Sequence, residues 1–212
     1  TYYWHVALAV GLLLALYCVW LCLMVRRGRN CLALRVVSAF QKYGYLMRQL
    51  LARDFKTKYK RSVLGMFWSF LNPLLTMFVQ YFVFSTIFKS DIPNYPAYLL
   101  IGIVTFNFFT EATGMALSSI VGNAGLITKV YMPKYIYPLT RVMSSVVNLG
   151  ISLIPLVLVS LATGIQFKKS ALLSLFFLCC AIIFSLGVGL LLSAAMVFFR
   201  DTQFLWGVLS MI

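Results

Sequence analysis

The chain has 212 residues, 62% of them hydrophobic and only 10% charged, with a formal net charge of +14. A soluble domain is about half apolar and a quarter charged, so this balance excludes an ordinary globular fold and marks a polytopic membrane protein. Eleven of the eighteen Lys and Arg residues fall between Arg26 and Arg61, beside runs that must enter lipid, so membrane lipids and not nucleic acid are the expected partner.

Residues 6–25 form the first apolar run, long enough to cross ~30 Å of hydrocarbon. No basic residue precedes it and Arg26, Arg27 and Arg29 follow it, the reverse of a cleaved signal peptide. It is expected to be a true span with its N-terminus outside, and because Thr1 is not Met, the native start is expected upstream. Residues 31–62 then change character. Val36, Phe40, Tyr43, Met47, Leu50 and Leu51 recur at helical steps on one face, and Lys42, Gln49, Arg53, Lys56 and Lys60 on another. That pattern predicts a basic amphipathic helix lying in the membrane interface.

Residues 63–88 are the next predicted span, with a kink expected at Asn72-Pro73, because proline removes a backbone donor. A short loop rich in turn formers, 89–96, leads to a span over 97–121 that is interrupted by Asn107 and Glu111. Residues 122–141 read as a polar connection punctuated by Pro133 and Pro138. Further spans are expected at 142–165 and 171–199, joined by a tight turn, and the apolar run after Arg200-Asp201 opens another. Alternating the sides puts fifteen basic residues inside and three outside, Lys89, Lys168 and Lys169. The positive-inside rule therefore orients an all-α protein of five complete spans and the start of a sixth, in a plasma (inner) membrane.

Enzymatic chemistry finds little footing in this sequence. The four carboxylates, Asp54, Asp91, Glu111 and Asp201, are expected in different layers, and His5 is the single histidine. No paired-carboxylate or metal-ligand spacing results, and residues 122–129 lack the G-x-x-x-x-G-K-[ST] of a nucleotide loop. No catalytic residue, metal or cofactor is assigned to this chain. The five cysteines read as small buried side chains. Glu111, an ionisable group inside a span, is a functional candidate by default; the alternative is a structural pairing with a neighbouring helix. Tyr81, Phe84 and Phe88 share a face at i, i+3 and i+7, and aromatic faces of this kind stack well on sugar rings. Together with Glu111 they are the channel-lining candidates.

The run from Arg53-Asp54 through Lys56, Tyr59, Ser62, Leu64-Gly65 and Trp68 to Pro73 resembles the entry to the first span of ABC-2 type exporter permeases. More narrowly, it resembles their polysaccharide branch, which carries O-antigen, teichoic acid or capsular polysaccharide. Residues 123–139, with Leu126-Ile127-Thr128-Lys129-Val130-Tyr131-Met132-Pro133-Lys134, and Phe198-Phe199-Arg200-Asp201 match in order, so the resemblance covers 45–212. It implies a type V exporter-like transmembrane domain over 63–212, six spans per protomer in a homodimer, and a separate ABC ATPase subunit holding ATP and Mg. Residues 1–30 are extra to that plan, and the last family spans are expected beyond Ile212. The resemblance further implies that the helix before the first span and the loop bearing Lys129, Tyr131, Pro133, Lys134 and Arg141 contact the ATPase. The substrate is then expected to be a glycan on a polyprenyl pyrophosphate carrier in a bacterial or archaeal cell. Arg53, Lys56, Lys58, Lys60 and Arg61 are placed to bind that headgroup by charge-assisted hydrogen bonds. A lipid, drug or peptide permease and a membrane-embedded transferase are the alternatives.

Overall fold

The computed structural model describes residues 32–60, 65–86, 94–129, 132–164 and 170–211. The predicted span at 6–25 and the candidates Arg61, Phe88 and Tyr131 lie outside them. All regular structure among the described residues is helical. Helix α1 covers Leu32–Tyr59, as its periodicity predicts, and α2 (Phe67–Thr86), α3 (Tyr95–Leu117), α6 (Ile136–Ala162) and α7 (Ser170–Phe198) follow. Two single turns, α4 (Ser119–Gly122) and α5 (Ala124–Ile127), link α3 to α6, and α8 (Thr202–Leu209) closes the order. Among the described residues four helices, α2, α3, α6 and α7, are long and apolar enough to cross a membrane.

Local chemistry explains most of the boundaries. Gly65 sits at φ +48° ahead of α2, Asn94 at φ +57° ahead of α3, and Gly164 at φ +70° just past α6. Glycine, and to a lesser degree asparagine, tolerates this left-handed region. Pro96, in the first turn of α3, sacrifices an N–H that has no intrahelical acceptor anyway. Pro138 corrects the sequence reading. It lies in the first turn of α6, so α6 begins six residues earlier than expected and takes Arg141 out of the loop and into the helix. Helix α2 runs on through Pro73, the position of the expected kink. Proline leaves the Ser69 carbonyl without its helical donor, and the Ser152 hydroxyl of α6 donates to it instead at 3.3 Å.

Residues 50–212 hold the helical bundle, with α3 at its centre against α2, α6 and α7. Leu100, Val104, Phe108, Ala112 and Ala116 recur every four residues along α3 and are buried, meeting Val142 and Leu149 of α6. Lipid solvates leucine as well as another leucine does, so these helices are held by close packing and interhelical hydrogen bonds. The α3–α7 contact shows how close. A Cβ built on Gly189 of α7 would stand 2.8 Å from the Ala116 Cβ. Ser185 and Ser193, one turn either side of Gly189, are buried on the same face. Cys179 corrects another expectation, being exposed on α7 and not buried.

Candidate functional site

The C-terminal turns of α1 end on the bundle through two charged contacts. In the first, Asp54 is buried, with 5% of its side chain exposed. Its carboxylate takes Arg141 of α6 at 3.2 Å and Arg53 at 3.3 Å. Arg53 also donates to the Asn123 side-chain oxygen at 3.0 Å, and Asn123 in turn donates to the Ser119 carbonyl at 2.7 Å. The basic helix α1 thus turns its one acid inward, where two guanidinium groups replace water. Among the described residues, this ties α1 to the α3–α6 connection and to the first turns of α6.

One helical turn on, the second contact forms. Lys58 Nζ lies 2.6 Å from Glu111 Oε1, and the Asn148 side-chain amide of α6 donates to the same oxygen at 2.6 Å. Tyr59 donates to the Asn148 oxygen at 2.9 Å and shares a hydrogen bond with the Ser69 hydroxyl at 2.5 Å. Residues of α1, α2, α3 and α6 therefore meet in one network. Interhelical hydrogen bonds in membranes average roughly 0.6 kcal/mol, so the network contributes only a few kcal/mol. Its larger consequence is geometric, because Glu111 is held through one oxygen while its side chain borders open space.

That space is a cavity of about 590 Å³ bounded by the end of α1 and by α2, α3 and α6. Trp68, Asn72, Asn107, Thr110 and Glu111 line it beside Lys58. Polar atoms cluster here although the surrounding spans are apolar.

The sequence-predicted residues separate into groups. Of the proposed headgroup ligands, Arg53 and Lys58 have carboxylate partners, while Lys56 and Lys60 are exposed. Of the channel candidates, Glu111 lines the cavity. Tyr81 and Phe84 are exposed further along α2, and Tyr81 meets the Tyr95 ring at 6.2 Å. Of the coupling candidates, Lys129 and Lys134 are exposed, Pro133 is half-buried, and Arg141 is the partner of Asp54. Of the carboxylates expected in different layers, Asp54 lies on α1 itself and Glu111 of α3 pairs with Lys58 one turn further along that helix. Sequence reasoning missed Tyr59, Asn123 and Asn148. An asparagine inside the apolar run of α6 was the one available signal, since a buried amide must find a partner.

The profile of the ABC-2 type transporter family matches residues 45–212. The O-antigen export system permease protein RfbA of Myxococcus xanthus is 30% identical over 170 residues, 80% of this chain and 65% of that protein. The protein of the same name from Klebsiella pneumoniae is 32% identical over 174 residues, 79% of this chain and 67% of its own length. The polysialic acid transport protein KpsM of Escherichia coli is 25% identical over 91 residues, 42% of this chain and 35% of that protein. The chain thus spans about two thirds of the length of the O-antigen relatives it matches.

Proposed function

Since this chain belongs to the ABC-2 type transporter family and is a multi-pass inner-membrane protein, we propose that it is the permease subunit of an ATP-driven polysaccharide exporter. The observation that carries the reading is its similarity, along about four fifths of its length, to two O-antigen export permeases. In this reading the cargo is a glycan on a polyprenyl pyrophosphate carrier, passed outward by a homodimer of the chain. Energy comes from a separate ABC ATPase that binds ATP and Mg.

The tethered end of α1 supports a mechanical role in that scheme. Exposed Lys129 and Lys134 and the outer face of α1 offer basic contacts to the ATPase. A displacement of α1 then reaches the spans through the Asp54–Arg141 and Lys58–Glu111 contacts. Lys56 and Lys60, exposed on and just beyond the last turn of α1, supply the positive charge for an anionic headgroup, with Arg61 beside them in sequence.

Deleting the gene in its native host and scoring surface polysaccharide by immunoblot and lectin staining tests the reading. Loss of surface glycan, its accumulation inside, and rescue by the intact gene are expected. Normal surface glycan in the deletion strain, with a lipid or peptide retained instead, overturns the polysaccharide assignment. Replacing Lys56, Lys58 and Lys60 together by Gln is expected to lower export several-fold while membrane insertion is kept.

A further inference from the structure

The cavity beside Glu111 holds more polar chemistry than the surrounding network uses. The carboxamides of Asn72 and Asn107, the indole N–H of Trp68 and Glu111 Oε2 have no hydrogen-bond partner among the described residues, yet these side chains border the cavity. Asn72 and Asn107 sit within membrane-spanning helices. Acyl chains offer an amide nothing, and transfer of such a group from water to cyclohexane costs ~4–8 kcal/mol. Two carboxamides and a carboxylate oxygen turned onto lipid would therefore be a heavy liability. The cavity is matched instead by water or by a ligand rich in hydroxyl groups.

Charge narrows the choice between ligands. Glu111 already neutralises Lys58, so an anion entering here gains little attraction and meets the free carboxylate oxygen. A neutral sugar offers a partner of suitable chemistry to each group. Its C–H face stacks on the Trp68 ring, which is 47% exposed, and its hydroxyls donate to and accept from the two carboxamides and donate to Glu111. The cavity, about 590 Å³, also falls within the ~300–1,000 Å³ of small-ligand sites.

We propose that this cavity is a subsite for a neutral sugar residue, with Trp68 as its stacking platform and Asn72, Asn107 and Glu111 as its hydroxyl partners. The inference rests on the export reading for the presence of a sugar at this depth, and on the cavity alone for its chemistry.

The test uses the full-length protein with its native partners in lipid nanodiscs, carrying Asn107→Cys in a chain otherwise free of cysteine. A charged, water-soluble maleimide probes the new thiol with and without neutral hexose oligosaccharides, and inorganic pyrophosphate serves as the anionic control. Ready labelling, slowed at least threefold by a neutral oligosaccharide and unaffected by pyrophosphate, is expected. Adding Trp68→Ala should abolish the protection while leaving the sugar-free labelling rate within twofold. No labelling, labelling that no sugar slows, or protection by pyrophosphate alone each overturns the subsite. If the Asn107 variant fails to insert, Asn72→Cys is judged by the same criteria. Should the wild-type chain export no glycan, the functional reading falls by itself, while sugar protection of the thiol still decides the subsite.

Discussion

With only 5% of its side chain exposed, Asp54 has exchanged water for the guanidinium groups of Arg53 and Arg141, and its contact is worth more than a surface pair. Exposed ion pairs contribute about 0–1 kcal/mol, whereas removing one member of a buried pair costs ~3–5 kcal/mol. Arg141 retains 27% exposure, which moves the expected cost below that upper range. Asp54→Ala is predicted to destabilise by ~2–4 kcal/mol. The Asp54→Ala/Arg141→Met double variant should cost less than the sum of its singles by ~1 kcal/mol or more. Equilibrium unfolding in mixed micelles titrated with sodium dodecyl sulfate measures the cycle, and strictly additive costs would rule out a direct coupling. Sequence inspection sees Asp54 only as one acid in a basic block. Its partner lies far along the chain, and which face of α6 carries Arg141 is set by a helix start that no periodicity reveals.

Helix boundaries show the same division between what is local and what is not. The long apolar runs were legible because each needs about twenty residues to cross hydrocarbon, a local property. Pro138 misled because proline marks a turn in most contexts but is also tolerated in the opening turn of a helix. At Pro73 the donor that replaces the missing N–H, Ser152, belongs to another helix and could not be read locally. Close packing is equally hidden. Nothing in the glycine count singles out Gly189, although a Cβ there would stand 2.8 Å from the Ala116 Cβ. Gly189→Ala is predicted to destabilise by ~1–3 kcal/mol, the cost of overpacking, because a methyl group on a helix backbone has little room to yield. Adding Ala116→Gly should recover at least half of that loss in the same micellar unfolding assay. Failure of the second change to rescue would show that the strain lies elsewhere.

At the scale of the whole molecule, the expected orientation rests on the charge asymmetry alone, and the all-helical membrane fold was legible from composition. The polar network and the cavity were not, since both depend on four helices presenting particular faces to one another. The orientation predicts that Ser90→Cys, in a cysteine-free chain, reacts with an impermeant maleimide added to intact cells. Ser118→Cys, just past α3, should react only after permeabilisation, and the opposite pattern would invert the topology. Asp54, Lys58 and Tyr59 occupy fewer than two turns of α1, yet between them they grip α2, α3 and α6. In the proposed exporter, a tug arriving there would be split among three pillars at the same instant, so they would lean together as a block instead of bending in succession.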